Sequence, residues 1–192
     1  MGNMYVIYMA DNGAVPFVPP DKKKHLANPQ SIGDISRNYP LRSGKWTLSE
    51  GGIRLPFIIR GPGAKKGAFC GVPVVGYDIL PTVADLAGFK SALPGDLDGG
   101  TLRGLLHGGE GGCVKRPFDG LVFDRSASVY PHTAIRVGDY KLVKFWKPEA
   151  MKLFNIRKDI GETNDLAGSM PEKAQELDDE LMRYLRAVNA EI

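Results

Sequence analysis

The sequence predicts an α/β protein in which a strand-and-helix core is followed by a small antiparallel subdomain. Three observations support this fold class. Strand patterns alternate with helical patterns over the first half of the chain, short strand patterns then follow one another directly, and one long amphipathic helix pattern comes last. The pattern changes at a Gly-rich stretch over residues 108–112. We therefore predict two domains, residues 1–112 and residues 113–192.

The first predicted element is a strand over residues 4–10, a continuous apolar run rich in Val, Ile and Tyr. Such a run is typical of a central strand that is buried on both faces. Residues 14–40 follow as a polar, Pro-rich stretch with neither a strand nor a helix period, which indicates a long surface loop. The end of the first strand is therefore a candidate site, since long loops often carry function.

Three further elements are predicted before the Gly-rich stretch. Residues 53–60 predict a second strand, and Pro56 within it favours a bulge or an edge position. Residues 78–87 place their apolar side chains on one helical face and stop before Gly88, which predicts a helix. Residues 102–106 predict a second, shorter helix.

The C-terminal part predicts a four-stranded antiparallel sheet and one long helix. Gly138 and Asp139 provide a two-residue turn between two strand patterns. Residues 171–188 carry Leu, Tyr and Val on one side and charged residues on the other, so this helix should pack on the sheet. The four predicted strands cover residues 121–124, 133–137, 140–146 and 152–156.

Composition and charge exclude several classes of protein. The 25 basic and 22 acidic residues give a net charge of only +3, so we expect no nucleic-acid partner. No apolar run approaches the roughly 18 residues of a membrane span, so we expect no span. Cys70 and Cys113 lack the spacing of a zinc site or a disulfide framework, and we expect free thiols.

Asp11, Asn12 and Gly13 directly follow the first predicted strand. From this triplet alone a turn is the simpler interpretation, because Asn-Gly and Asp-Asn are common turn formers. The alternative is a divalent cation held by two hard oxygen donors, since ligands in open α/β sheets collect beyond the carboxyl ends of the strands. Calcium prefers about six or more oxygens, so further acidic ligands would have to come from elsewhere.

Several blocks of sequence resemble the sulfatase family. The Asp-Asn-Gly strand end and residues 40–56, PLRSGKWTLSEGGIRLP, resemble its pattern L-R-G-G-K-x-x-x-x-E-G-G-x-R-x-P. Residues 77–82, YDILPT, resemble its D-x-L-P-T helix. Its C-terminal sheet and the segment before its last helix resemble residues 134–142, 152–155 and 164–167. The blocks keep the family's order, so the chain resembles the C-terminal portion of a sulfatase, with part of an alkaline-phosphatase-like α/β core.

The resemblance implies functional roles for four residues. Asp11 and Asn12 match the pair that completes a calcium site, in which the metal polarises a sulfate oxygen. Lys45 matches the lysine that contacts the sulfate, and it is the catalytic and substrate-binding residue expected in this chain. His132 lies just before the C-terminal sheet, where relatives often bring a loop toward the pocket, and it is a second candidate for substrate contact.

The same block contains two expected structural residues and two departures from the family pattern. Glu50 and Arg54 are expected to form an ion pair or backbone anchors that fix the Gly-Gly turn between them. Ser43 stands where the family usually has Gly, and Trp46 stands where it usually has a small residue. Both departures affect the backbone around the lysine and the shape of the pocket.

The family's nucleophile is a formylglycine made from the Cys or Ser of a C/S-x-P-x-R motif, and this sequence has no such motif. The early paired aspartates that supply the other calcium ligands are also missing. Relatives carry both before the Asp-Asn-Gly strand, so the calcium site of this chain should be incomplete and formylglycine is expected only in an N-terminal portion. We therefore expect no turnover by this chain alone, and a sulfated small molecule or glycan as the substrate of the complete enzyme.

Two other interpretations stay open. The chain fits a portion of a phosphate or phosphonate ester hydrolase, because the wider fold serves both chemistries and a fold does not fix the substrate. It also fits a non-catalytic remnant or binding module, because the nucleophile motif is lacking. In all three cases the first strand lacks neighbours, so we expect association through exposed sheet surface.

Overall fold

The chain forms two compact units in the computed structural model. One consists of Met1–Met9 with Phe57–Asp119, and the other of Ala10–Pro56 with Gly120–Ile192. The second unit thus includes residues from before the predicted boundary at 112 and 113, and that boundary stays a prediction. Most of the loop predicted over residues 14–40 lies outside the described residues, which are 3–15, 38–108, 112–126 and 130–191.

The first unit contains a two-stranded antiparallel sheet formed by β1 (Val6–Met9) and β2 (Phe57–Arg60). The prediction of a first strand buried on both faces is wrong. Tyr8 is 59% exposed, and Ile58, which lies directly opposite it, is 60% exposed. Among the described residues β1 pairs only with β2, which leaves these apolar side chains in solvent.

The exposed apolar side chains of the first unit predict self-association. The chain should associate as its concentration rises, because apolar patches and free strand edges are contact surfaces. Sedimentation velocity over a concentration series measures this. The double substitution Tyr8→Lys with Ile58→Lys should reduce the association, and a wild-type chain that stays monomeric throughout would contradict the prediction. The exposed side chains include Met4, Val6, Tyr8, Ile58, Phe69, Leu80, Val83 and Phe89.

The strand predicted over residues 53–60 is shorter in the structure. Its first residue instead ends a one-turn helix, α1 (Glu50–Ile53), and β2 begins only after Pro56, which has no N–H to donate to a partner strand. The two predicted helices are confirmed. They are α2 (Ile79–Leu86), which follows a 3₁₀ turn, and α3 (Arg103–Leu106).

Asp78, at the start of the D-x-L-P-T block, is a buried anchor of the first unit. Its carboxylate accepts hydrogen bonds from the N–H groups of Val75 and Gly100, over 2.9 and 3.0 Å, and pairs with Arg116 at 2.6 Å. Burial lowers the pKa of Arg116, but the hydrogen bonds and charge of Asp78 outweigh this and raise it above its usual value. This block therefore stabilises the fold of the unit.

Two expectations from composition concern the cysteines and the membrane. Cys70 and Cys113 are both free and exposed, which confirms the prediction of free thiols. In the part of the chain that the structure describes, no helix combines the length and the apolar character that crossing a bilayer requires.

The second unit contains the predicted antiparallel sheet, and the strand order follows the chain order. Gly138, at a φ of 57°, permits the predicted two-residue turn between the second and third strands. The predicted C-terminal helix is also confirmed as α4 (Pro171–Ala187), which packs against three of the strands. The strands are β3 (Leu121–Arg125), β4 (His132–Val137), β5 (Tyr140–Trp146) and β6 (Glu149–Asn155).

Side chains are buried on both faces of this sheet, and successive residues of a strand point to opposite faces. On one face, the Nζ of Lys144 lies 2.8 Å from Oδ2 of Asp178 in α4. On the other face, Val143 belongs to an apolar cluster that includes Leu48. Lys141 lies on the same face as Val143, so two lysines of one strand are buried on opposite sides of the sheet.

Candidate functional site

Two backbone hydrogen bonds hold the Asp-Asn-Gly turn and the following Ala14 beside residues 41–52, which we call the lysine loop and whose last three residues begin α1. The N–H of Gly13 donates to the carbonyl of Gly52 over 2.9 Å. The N–H of Lys45 donates to the carbonyl of Ala14 over 3.0 Å. The predicted metal pair and the predicted sulfate-contacting lysine therefore lie on neighbouring backbone segments.

Asn38 links the same two segments through its side chain. Its amide oxygen accepts the N–H of Ala14 over 3.1 Å, and its amide nitrogen donates to the carbonyl of Ala14 over 3.0 Å. The amide nitrogen also donates to the carbonyl of Ser43 over 2.8 Å. One side chain thus reproduces the pairing of a strand and joins the turn to the lysine loop.

Close backbone packing explains why glycines occur in both segments. A Cβ added to Gly13 would overlap the carbonyl oxygen of Gly51. A Cβ added to Gly51 would in turn overlap the carbonyl oxygens of Arg42 and Ser43. Glycine fits these positions because it lets two backbones approach without a side chain between them.

Two residues of the lysine loop adopt the left-handed backbone region. Ser43 has a φ of 57° and Trp46 a φ of 75°. This conformation costs a residue with a Cβ roughly 1–2 kcal/mol, and glycine avoids that cost. The geometry gives a physical reason for the glycine that the family usually carries at the Ser43 position. Lys45 lies between these two residues, so their conformations determine the path of the backbone from which its side chain extends.

The Lys45 side chain is half-buried and lies beside an aromatic ring. Its Nζ is 5.9 Å from the centroid of the Trp46 ring, within the range of a cation–π contact. Trp46 itself is 39% exposed. An ammonium group on an aromatic surface is a suitable recognition element for an anion attached to an apolar or ring-shaped group.

Asp11 is exposed and Asn12 is half-buried at the end of β1. Their side chains offer one carboxylate and one amide oxygen. Nowhere in the described ranges do three or more His, Cys, Asp or Glu residues form a group that could hold a metal ion. The pair matches calcium in the type of donor but provides fewer than the roughly six oxygens that calcium prefers.

His132 is the first residue of β4 and is only 6% exposed. Its Nε2 accepts the N–H of Leu48 over 3.1 Å, and its Nδ1 lies 2.6 Å from the carbonyl of Tyr130. The ring also stacks on Phe145. Because both ring nitrogens are engaged, the sequence-based expectation of substrate contact does not agree with this placement. The imidazole instead anchors the lysine loop to the sheet.

Comparison with known proteins identifies the family. A family model described as N-sulphoglucosamine sulphohydrolase, C-terminal, matches residues 44–191. This chain belongs to the sulfatase family. Arylsulfatase K of Danio rerio is 31% identical over 144 residues, which are 70% of this sulfatase chain and 26% of that protein. The resemblance to the C-terminal portion of a sulfatase is thereby confirmed.

Solved structures confirm the predicted fold class. The crystal structure of Ps i-CgsB in complex with k-i-k-neocarrahexaose has a TM-score of 0.69 and 27% identity, and covers 94% of this sulfatase chain and 36% of that protein. The phosphonate monoester hydrolase SpPMH from Silicibacter pomeroyi has a TM-score of 0.57 and 25% identity, and covers 76% of this chain and 31% of that protein. The chain spans about a quarter to a third of the length of these proteins.

A buried cluster of charges joins the lysine loop of this sulfatase chain to its C-terminal sheet. The Nζ of Lys141 lies 2.9 Å from Oε1 of Glu50 and 2.9 Å from Oε1 of Glu162. Arg54 contacts the other oxygen of Glu50 at 3.4 Å, which confirms the ion pair expected from sequence. Burial lowers the pKa of the neighbouring Arg136, although the charge of Glu50 acts in the opposite direction.

Sequence reasoning missed three residues that hold the site together: Asn38, Lys141 and Glu162. Asn38 carries no motif of its own. Lys141 lies in a block that resembles the family's C-terminal region and Glu162 lies between two such blocks, but both residue types are those of ordinary surface positions. One signal was available. Because Lys141 and Lys144 are three residues apart in one strand, they point to opposite faces of the sheet. Each face of this strand therefore carries a lysine among apolar residues.

Proposed function

We propose that this chain supplies three residues to the active site of a sulfatase, which hydrolyses sulfuric esters. Asp11 and Asn12 would bind a calcium ion, and Lys45 would contact the sulfate group of the substrate. The observation that supports this proposal is the pair of backbone hydrogen bonds between the Asp-Asn-Gly turn and the lysine loop. These bonds keep an acidic, metal-type donor pair and a half-exposed ammonium on adjacent segments of one compact unit.

Asp11 and Asn12 carry oxygen donors of the type that calcium prefers, but calcium needs more ligands than these two. Calcium, when bound, would supply Lewis-acid polarisation of a sulfate oxygen. Asp11 contributes a full negative charge and an exposed carboxylate, while Asn12 contributes a neutral amide oxygen. Additional carboxylates from outside this chain are therefore part of the proposal.

Lys45 would offset negative charge on the sulfate oxygens. Its ammonium is a compact point charge, and the strained residues on either side of it fix the backbone from which it extends. A preorganised charge of this kind stabilises a transition state without having to reorganise during the reaction. His132 would take part as a positioning residue, through its bond to the N–H of Leu48.

The nucleophile would come from outside this chain, because the sequence contains no C/S-x-P-x-R motif from which formylglycine is made. The substrate class that we propose is a sulfated small molecule or glycan. This is in line with Ps i-CgsB, whose structure was determined in complex with a neocarrahexaose. The exposed Trp46 ring beside Lys45 offers a surface for the ring of such a substrate.

A phosphonate or phosphate ester hydrolase is a second candidate, favoured by the structural similarity to SpPMH. The two chemistries can be separated in an active protein that contains this chain. Under the main proposal an aryl sulfate is hydrolysed with a higher kcat/KM than the matching aryl phosphate or phosphonate. The reverse order would favour the second candidate.

The 192-residue chain by itself should bind calcium weakly. The dissociation constant for calcium rises as charged ligands are removed, and here it should reach or exceed the roughly 10⁻³ M of the weakest protein calcium sites. Titration calorimetry measures this, and Asp11→Ala should abolish the remaining binding. Asn12→Ala should weaken it less, since it removes no charge. A one-to-one calcium site tighter than about 10⁻⁵ M would show that other residues make the site.

A further inference from the structure

Glu162 contacts both ends of the lysine loop. At one end, the guanidinium of Arg42 donates to the main-chain carbonyl of Glu162 over 2.9 Å. At the other end, the N–H of Glu50 donates to Oε2 of the Glu162 carboxylate over 2.8 Å. A single residue from the segment between β6 and α4 therefore joins the two ends of the loop that carries Lys45.

The Glu162 carboxylate is held in turn by Lys141. Both side chains are fully buried, at 0% exposure, and the ion pair of 2.9 Å between them lacks the alignment of a hydrogen bond. Lys141 shares its charge with Glu50, whose side chain is 3% exposed. The buried cluster thus contains two carboxylates and one ammonium, and the partly exposed Arg54 adds a cation 3.4 Å from Oε2 of Glu50.

A gain in stability is a weak explanation of this arrangement. Desolvating each charge costs several kcal/mol, and apolar replacements of buried ion pairs are often neutral or stabilising. Glu162 also has a φ of 52°, in the left-handed region that disfavours residues with a Cβ. Strained backbone and buried charge at one residue are typical of positions where the surrounding structure maintains a particular geometry.

We propose that Glu162 is a positioning residue of the sulfatase site. Its carboxylate, held by Lys141, fixes the lysine loop on the C-terminal sheet and so sets the direction of the Lys45 ammonium. This inference rests on the proposed function of Lys45. Glu162 acts through the loop backbone and needs no contact with the substrate.

Amide hydrogen exchange of the 192-residue chain, followed by NMR, tests this role. Glu162→Met removes the acceptor for the Glu50 N–H, while Lys141 keeps Glu50 as its partner, so no buried charge is left alone. The amides of Glu50, Gly51 and Lys45 should exchange about tenfold faster, with β5 unchanged. Glu162→Gln keeps an acceptor oxygen but loses its charge, and should give a smaller rise confined to the loop.

Asp178→Asn is the matched control, because it perturbs a buried Lys–Asp pair on the opposite face of the same sheet. It should leave the exchange of the loop amides unchanged. Loop amides that exchange in Glu162→Met as they do in the wild type would overturn the proposal. A rise in amide exchange that spreads equally through the lysine loop and the sheet in both Glu162→Met and Asp178→Asn would also overturn it. If Glu162→Met does not fold, the absence of any rise in Glu162→Gln overturns it.

A sulfate titration separates this inference from the proposed function. Inorganic sulfate should shift the NMR signals of the lysine loop in the wild type, and Lys45→Ala should remove that response. An unchanged response in Lys45→Ala would overturn the proposed function. Unchanged loop exchange in Glu162→Met would overturn the role of Glu162, whatever the titration shows.

Discussion

Lys45→Ala should lower the turnover of an active sulfatase that contains this chain by about 100-fold or more. Loss of one preorganised charge or donor at a site of developing negative charge has an effect of this size. The residue directly beside it, Trp46, offers an aromatic ring and no charge that could replace the half-buried ammonium. Steady-state kinetics with an aryl sulfate measures the effect.

Two substitutions define the expected effect of the Lys45 charge more closely. Lys45→Arg retains the charge but replaces a compact ammonium with a planar guanidinium, and should recover only part of the activity. Lys158→Ala removes an exposed lysine elsewhere in the same unit and should leave turnover unchanged. Wild-type rates in Lys45→Ala would exclude a role for this lysine in the reaction.

Gly13→Ala should destabilise the second unit by at least about 2 kcal/mol. The new Cβ would overlap the carbonyl oxygen of Gly51, so the backbone must move. That movement breaks the hydrogen bond from Gly13 to Gly52, which joins the Asp-Asn-Gly turn to the lysine loop. The free energy of unfolding from urea titration measures the loss.

Gly168→Ala is the matched control for this substitution. It lies in the same unit, and a Cβ there would meet no atom within 4 Å. Its effect should stay within about 0.5 kcal/mol of the wild type. Equal unfolding midpoints for Gly13→Ala and Gly168→Ala would mean that the turn and the loop are not packed as closely as the structure indicates.

The C-terminal sheet and helix were predictable because their signals are local. The strands are short extended segments, two of them joined by the Gly138-Asp139 turn, and α4 follows a 3.6-residue period over 17 residues. β1 shows the limit of such reasoning. Its continuous apolar run predicts burial, but the run carries no information about what covers it, and Tyr8 is exposed in this chain.

The candidate site was predictable only where a motif marks it. Asp11, Asn12 and Lys45 were found through the family pattern around them. Glu162 was not found, because its effect depends on contacts with Arg42 and Glu50, which lie 120 and 112 residues away in sequence. A single sequence gives no signal for such pairings, since a buried Glu and a surface Glu have the same letter.

Asp11 and Asn12 should bind a divalent cation beside Lys45, and paramagnetic NMR of this chain tests this most directly. Mn²⁺ is a hard dication that prefers the same oxygen donors as calcium, and it broadens nearby signals even at low occupancy. As Mn²⁺ is added, the amide signals of Asp11, Asn12 and Gly13 should broaden first, followed by the amide signal of Lys45. In Asp11→Ala these signals should no longer broaden before the others. Broadening that begins at other acidic residues and is unchanged in Asp11→Ala would contradict the account.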